Sequence, residues 1–311
     1  MDCFNPLYLD DPDFVEFNRE IRDKNLSLAP RLIAVPCGHC EACIYNSAQE
    51  WRSRINEEYR VSENALFVTL TYNDDSLPFA GGTSFDGEYK VVPCVSKRDI
   101  QLFFKRLRAR FESEFGVSRL RYFLVSEYGP TSLRPHYHAI LFNLPCYTAG
   151  NQRSLFDTAE LIAEEWNLGF VKCDDVNPAR IGYITKYMSC VTDLPAEYVR
   201  PFRLMSRRPA IGATYLDRDY LVNWHKRKLA TYIPDGEYRI RMPRYYRRHI
   251  FDDDELELIR QRSQYYRDKR DFDINVKERA AFDRGLSPYR DAKEKYIRNF
   301  NNKYKKKRKD V

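Results

Sequence analysis

The chain of 311 residues can bury one good hydrophobic core or two, and it is basic, with a net charge of +7 and a pI near 8.9. No apolar run is long enough to cross a bilayer, and no signal peptide is expected at the N-terminus, which argues against membrane and secreted proteins. Eight cysteines are too few for a disulfide scaffold at this length and indicate a reducing cytoplasm.

Periodicity and turn-forming residues define the elements of the first half of the chain. They predict, in order, a helix over 44–62, a strand over 65–72, a loop over 73–87 and a helix over 97–115. Ser96 is the expected N-cap of the last of these helices, because its hydroxyl can accept a hydrogen bond from a backbone N–H of the following turn.

The second half continues with a predicted hairpin. Its elements are a strand over 120–128, a turn over 129–132, a strand over 135–143, a helix over 154–168, a strand over 169–173 and a helix over 178–191. This order predicts an α+β fold, a central antiparallel β-sheet with flanking helices. After residue 195 regularity fades apart from a helix over 252–266, which indicates a basic, mainly helical or irregular C-terminal extension. The expected domains are 1–62, 63–195 and 196–311.

Two histidines stand one residue apart in the segment Arg134-Pro135-His136-Tyr137-His138. Side chains alternate along a β-strand, so His136 and His138 point to one face and Tyr137 to the other. Two imidazoles about 7 Å apart on one face of a strand can hold one divalent cation. The alternative is a pair of ordinary strand histidines.

Glu127 supplies a third candidate ligand, since it ends the strand that pairs with the histidine strand. One carboxylate with two imidazoles favours Mg²⁺ or Mn²⁺ over zinc when the chemistry involves phosphate. The alternative is a cross-strand pair between Glu127 and Arg134. On the next predicted helix, Tyr183, Lys186 and Tyr187 share one side and offer nucleophiles beside an ammonium group. Two ordinary tyrosines at helical spacing are the alternative.

The order of these motifs resembles that of the HUH endonucleases. Thr69-Leu70-Thr71, then the histidine pair, then Tyr-x-x-Lys-Tyr is most similar to the rolling-circle replication initiators of Microviridae (gokushovirus-like) bacteriophages, over about residues 36 to 215. The resemblance implies a sheet of the RNA-recognition-motif kind with a metal site on its face. It implies that His136 and His138 are ligands with Glu127 as a third, and that Tyr183 and Tyr187 are alternating nucleophiles with Lys186 as their basic neighbour. Cys190 stands where two-tyrosine relatives commonly have a second lysine.

The resemblance also implies a function. The protein would nick a viral origin, form a 5′-phosphotyrosine and later rejoin the strand, on single-stranded DNA and on double-stranded replicative-form origin DNA, with Mg²⁺ or Mn²⁺, in the host bacterial cytoplasm. A host DNA polymerase would extend the free 3′-OH. The sequence has no Gly-x-x-x-x-Gly-Lys-Ser/Thr loop, so a host helicase is expected as well. A plasmid relaxase, an HUH transposase and a non-catalytic single-stranded nucleic-acid-binding module are the alternatives.

Three cysteines, Cys37, Cys40 and Cys43, follow one another at intervals of three residues. This spacing favours a structural metal, zinc above all, if His39, Cys94 or another cysteine supplies a fourth ligand. Free thiols and an iron–sulfur cluster are the alternatives, and a zinc-stabilised transcription regulator is a further functional one.

Basic residues are the candidate DNA contacts. Arg134, Arg207 and Arg208 are expected to touch DNA, the last two in a loop predicted over 203–212, for which an interdomain linker is the alternative. From Arg241 onward the chain has 22 Lys and Arg against 13 Asp and Glu, and 303–309 is expected to be a disordered basic tail. His225 and His249 are expected at the surface.

Overall fold

The structure is a computed structural model that describes residues 3–11, 14–24, 28–116, 118–129, 131–186, 194–282, 294–295, 297–299 and 302. Internal contacts divide the chain into two compact units, Ala48–Leu256 and the pair of segments Met1–Ser47 and Glu257–Val311. Within the described ranges, no helix has both the length and the apolar character that a membrane span needs. Tyr187, the end of the predicted helix at 191 and the basic tail over 303–309 lie outside the described residues.

The elements follow one another as strands and helices of ordinary length. The strands are β1 (Leu7–Asp10), β2 (Leu32–Val35), β3 (Ala65–Tyr72), β4 (Phe79–Thr83), β5 (Tyr89–Pro93), β6 (Arg121–Tyr128), β7 (Pro135–Phe142), β8 (Gly169–Asp175), β9 (Arg203–Met205), β10 (Tyr232–Asp235) and β11 (Tyr238–Arg241). The helices are α1 (Val15–Asp23), α2 (Glu41–Val61), α3 (Lys97–Phe115), α4 (Gln152–Trp166), α5 (Pro178–Lys186), α6 (Asp219–Lys228), α7 (Arg244–Ile250) and α8 (Asp253–Phe282), with a 3₁₀ helix at Ala213–Asp217.

A five-stranded antiparallel sheet in the order β8-β3-β7-β6-β9 forms the centre of the larger unit. Alternate residues of its strands face two separate apolar clusters. One cluster joins Leu66 and Leu70 to α3 and α4 through Phe103 and Trp166. The other joins residues of the opposite face to α2 and α5; they include Ile55, Phe67, Ile140, Ile181 and Ile184. The sheet therefore lies between two layers of helices, and the α+β prediction is confirmed.

Helix α3 begins and ends where its sequence predicts. The Ser96 hydroxyl accepts a hydrogen bond from the Asp99 N–H at 3.2 Å, and Gly116 ends the helix in the left-handed region with φ 78°. The other predicted elements up to residue 186 are confirmed to within three residues at each end that the structure describes. The sequence pattern is therefore a good guide wherever an element is long and clearly periodic.

Two predictions about irregular regions are wrong. The predicted loop over 73–87 contains β4, which pairs with β5 as an antiparallel hairpin. Its Gly81-Gly82 pair reads as a turn, yet Gly82 lies in the strand because a Cβ there would sit 2.4 Å from the Glu197 carbonyl oxygen. The predicted loop over 203–212 begins with β9, an edge strand of only three residues that pairs with the distant β6.

The region after residue 195 is also more regular than its sequence suggests. It contains β9, the 3₁₀ helix, α6, the β10–β11 hairpin and α7 before α8 begins. His225, expected at the surface, is fully buried on α6. Its Nε2 lies 2.8 Å from the Tyr215 hydroxyl and its Nδ1 lies 2.8 Å from the Ala230 carbonyl oxygen. Both ring nitrogens therefore have partners, which makes burial of a neutral imidazole tolerable.

Candidate active site

Strand register places the two histidines and Glu127 on one face of the sheet. Glu127 of β6 lies directly opposite His136 of β7, and Thr69 of β3 lies opposite His138. Directly opposed residues project to the same face, so all four side chains point together. Tyr137 points the other way and is completely buried in the cluster beneath α3. The alternation expected from the sequence thus holds in the structure.

The ligand atoms of the three predicted residues converge. The Glu127 Oε2 atom lies 3.4 Å from His136 Nε2 and 3.3 Å from His138 Nε2. One donor atom from each residue falls within 4.8 Å of the other two. The His136 side chain is the most open of the three at 19% exposed, against 11% for Glu127 and 7% for His138. The cluster is therefore closed on the His138 side and accessible beside His136.

The remaining ring nitrogens are occupied by neighbours. His136 Nδ1 lies 3.2 Å from the Arg134 carbonyl oxygen, and His138 Nδ1 lies 3.0 Å from the Thr69 hydroxyl. Because a carbonyl can only accept, the proton of neutral His136 sits on Nδ1, and a lone pair on Nε2 faces the Glu127 carboxylate. Two acceptors in this position need a cation between them, either a proton or a metal ion. The donor set thus fits a divalent cation, and the Nδ1 contacts are of the kind that orient metal-bound histidines.

The protonation states point in the same direction. Burial alone would raise the pKa of Glu127, but hydrogen bonds with His136 and His138 outweigh it and hold the pKa below the usual value. Burial lowers the pKa of His138, and the nearby Glu127 carboxylate only partly offsets this. A carboxylate that stays ionised beside an imidazole that stays neutral is the form in which these groups bind metals.

Helix α5 brings the first predicted nucleophile to this cluster. The helix starts where the Asn177 side chain accepts a hydrogen bond from the Arg180 N–H at 2.9 Å, and it packs on the sheet through Ile181 and Ile184. The Tyr183 ring meets the His138 ring edge-on, with centroids 5.3 Å apart, and also contacts Phe67. Lys186 is the last residue of α5. The structure therefore places Tyr183 beside a predicted ligand.

A cavity of about 440 Å³ opens next to Tyr183 and His138. Lys172 on β8 lines it, and Lys172 lies opposite Thr69, which in turn lies opposite His138, so the three residues form a row on one face. Arg180 is also in the wall and pairs with Asp174 at 3.0 Å. The sequence analysis missed Lys172, although the alternation of Phe170, Lys172 and Asp174 along β8 would have placed it on a single face.

The predicted arginines lie in different places. Arg134 contacts Asp74 at 2.7 Å and donates to the Tyr72 carbonyl oxygen at 2.8 Å, so the alternative pairing of Glu127 with Arg134 is not formed. Arg207 and Arg208 are exposed and follow β9, at the edge of the sheet beyond β6. Cys37, Cys40 and Cys43 lie together in the smaller unit, where the sulfur of Cys3 joins them.

Comparison with known proteins adds a family to this geometry. Residues 65–191 match the family model of the replication-associated protein ORF2. That segment belongs to this family of replication-associated proteins. The family segment begins with β3 and extends past α5, so it includes Glu127, both histidines, Lys172 and Tyr183.

The chain is similar to replication-associated proteins of three bacterial viruses. It is 28% identical to the ORF2 protein of Spiroplasma virus 4 over 70% of this chain and 68% of that protein. It is 26% identical to the VP4 protein of Bdellovibrio phage phiMH2K over 72% and 69%, and 24% identical to the ORF4 protein of Chlamydia phage 1 over 68% and 52%. No solved structure gives a significant match.

Proposed function

We propose that this protein is a site-specific single-stranded DNA endonuclease and strand transferase that starts and ends rolling-circle replication of a phage genome. The observation that supports this most is the position of Tyr183 against His138, one of three convergent metal-ligand candidates. The names of the relatives point to replication, and the pairing of a phenol with a Glu–His–His cluster is suited to phosphoryl transfer.

Glu127, His136 and His138 would hold Mg²⁺ or Mn²⁺. When bound there, the ion would withdraw charge from a phosphate oxygen of the DNA and make phosphorus more electrophilic. The Tyr183 hydroxyl attacks phosphorus, a P–O bond to tyrosine forms, and the bond from phosphorus to the 3′ oxygen breaks. The phenolic proton is released and the departing 3′ oxygen takes up one proton, so the step is balanced. Lys186, one turn further along α5, would offset the negative charge that develops.

The cavity beside Tyr183 would hold the nucleotide next to the cleaved bond. Its volume of about 440 Å³ is within the usual range for small-ligand sites. Lys172 offers a cation to a phosphate, and the Asn177 and Asp174 side chains offer polar groups to a base edge. The row of Lys172, Thr69 and His138 would align this nucleotide with the metal cluster.

The phosphotyrosine conserves the energy of the broken bond, so rejoining needs no ATP. A free 3′-OH is left for a host polymerase, while a host helicase would open the replicative form in the host cell. Tyr187 would be the second nucleophile in this scheme. Attack by the new 3′-OH on the phosphotyrosine then restores a phosphodiester, frees the tyrosine and closes the circle.

The test uses a tiled set of labelled single-stranded oligonucleotides that covers the genome encoding the protein, incubated with Mn²⁺. We expect a covalent adduct with one or a few adjacent tiles, and loss of the Tyr183 adduct, located by peptide mapping, in Tyr183→Phe. Tyr238→Phe, at a tyrosine that is 77% exposed on the β10–β11 hairpin, is the matched control. Binding to many tiles without any adduct would overturn the proposal and favour a non-catalytic nucleic-acid-binding module.

A further inference from the structure

Four cysteine sulfurs meet in the smaller unit, although one of them is far from the others in the sequence. Cys3 Sγ lies 3.5 Å from Cys37 Sγ and 3.7 Å from Cys40 Sγ, and the sulfurs of these three and Cys43 fall within 4.8 Å of one another. All four residues are free thiols. A disulfide would bring two sulfurs to about 2.05 Å, so the spacing is that of a shared ligand and not of a bridge.

The backbone around these sulfurs donates hydrogen bonds to them. The Cys37 N–H points to Cys3 Sγ at 3.3 Å, and the Phe4 N–H points to Cys40 Sγ at 3.4 Å. Cys37 Sγ accepts from the N–H groups of His39 at 3.4 Å and Cys40 at 3.3 Å. An N–H donor stabilises a thiolate far more than a thiol, and such contacts are characteristic of the surroundings of metal-bound cysteines.

We propose that Cys3, Cys37, Cys40 and Cys43 bind one structural zinc ion. In a tetrahedral zinc site with Zn–S bonds of about 2.3 Å, neighbouring sulfurs are about 3.8 Å apart. The two measured distances of 3.5 and 3.7 Å are close to this value. Four thiolates leave no open coordination position, so the role is structural. A four-iron cluster would need room for its own iron and sulfide atoms between the thiolates, and these sulfurs are too close together for it.

The smaller unit has little else to hold this segment. Among the described residues from 3 to 47, the buried apolar residues are Ile21, Cys40, Ala42 and Cys43. Apolar side chains of the β1–β2 hairpin, such as Leu7 and Leu32, are about half exposed. A segment with so small a core gains much of its stability from a metal that joins distant residues. Zinc would tie residue 3 to the first turn of α2.

The test is the metal content of the full-length protein purified without chelators. We expect about one zinc per chain by mass spectrometry, and at least a fivefold loss in Cys3→Ser. Cys146→Ser replaces a half-buried cysteine outside the group, and His39→Ala replaces an exposed histidine beside it. Both controls should keep their zinc. A double variant, His136→Ala with His138→Ala, should also keep it, which separates this site from the proposed active site.

A second measurement covers the case in which Cys3→Ser does not fold. Cobalt exchanged into the wild-type protein should give the visible absorption of a tetrahedral cobalt thiolate centre. Wild-type protein without zinc, zinc retained in full by Cys3→Ser, or iron with a brown iron–sulfur absorption would each overturn the proposal. Neither measurement depends on DNA cleavage, so the zinc site and the proposed function can fail separately.

Discussion

Tyr183 stands edge-on to His138, with ring centroids 5.3 Å apart and ring planes at 79°. Phe67 packs against both rings, at 5.6 Å from His138 and 6.0 Å from Tyr183. An edge-to-face arrangement of this kind is a favourable one for aromatic rings. The proposed nucleophile and the proposed metal ligand are therefore parts of one aromatic cluster, and removing the phenol hydroxyl alone leaves their packing intact.

Replacing Glu127 should weaken metal binding most directly. Glu127→Gln keeps the shape of the side chain and removes the one negative charge of the cluster, so we expect the Mn²⁺ affinity to fall at least tenfold. The measurement is Mn²⁺ titration followed by electron paramagnetic resonance. Asp74→Asn is the control, because Asp74 is an exposed carboxylate that contacts Arg134. Equal Mn²⁺ affinities for Glu127→Gln and the wild type would argue against a metal at this cluster.

Thr69 should act on the metal through His138. Its hydroxyl lies 3.0 Å from His138 Nδ1, and loss of such an orienting contact commonly costs about 10- to 100-fold in metal affinity or activity. Thr69→Val should therefore reduce Mn²⁺ affinity and cleavage together. Thr71→Val changes the same residue type on the same strand, opposite His136, and serves as the matched control. If the two variants behave alike, the Thr69 contact has no special role.

Lys172 should contribute to DNA binding more than to the chemical step. Lys172→Ala removes a cation from the cavity wall, so we expect weaker binding of single-stranded DNA, a higher KM and a nearly unchanged kcat. The slope of log affinity against log salt should become shallower by about 0.7, the value for one phosphate contact on a single strand. Lys24→Ala, in the smaller unit, is the control. An unchanged salt slope would remove Lys172 from the DNA contacts.

His225 should make the larger unit sensitive to acid. Burial lowers its pKa below the usual 6.5, although the hydrogen bond with the Ala230 carbonyl oxygen opposes this. The unfolded chain therefore takes up a proton near pH 6.5 that the folded chain does not, and stability falls as the pH drops from that value toward the folded pKa. Calorimetry between pH 7.5 and 5 should show a falling Tm.

A variant isolates this effect. His225→Gln should lower stability at pH 7.5 by about 1–3 kcal/mol, because buried hydrogen bonds are lost, but its Tm should change less between pH 7.5 and 5. His249→Gln, at an exposed histidine on α7, should keep the wild-type dependence. A pH slope in His225→Gln that equals the wild-type slope would assign the acid sensitivity to other groups.

Local patterns were enough to predict the ligand cluster. Alternation along β7 separates His136 and His138 from Tyr137, and a short hairpin carries Glu127 to the same face. These relationships involve neighbours in sequence, so the residues themselves encode them. The helix that carries Tyr183 was predicted for the same reason, since its proline start and its spacing are local signals.

Residues that depend on distant partners were missed. Lys172 reaches the site only because β8 pairs with β3, and no local pattern specifies that pairing. Cys3 is 34 residues from Cys37 and joins it only in the folded chain. His225 is buried because Tyr215 and Ala230 satisfy both of its ring nitrogens, a condition that cannot be recognised before the tertiary contacts are known. In each case a long-range contact decides where the residue lies.

The phenol between the two histidines has a consequence for the whole strand. Tyr137 shares a hydrogen bond of 2.8 Å with Tyr72, and its oxygen accepts from the Ser96 N–H at the start of α3 at 2.7 Å. A slip of β7 by one residue would turn this phenol toward solvent and both imidazoles into the apolar layer. The rear anchor thus locks the pair of rings in its outward orientation before any ion or DNA arrives.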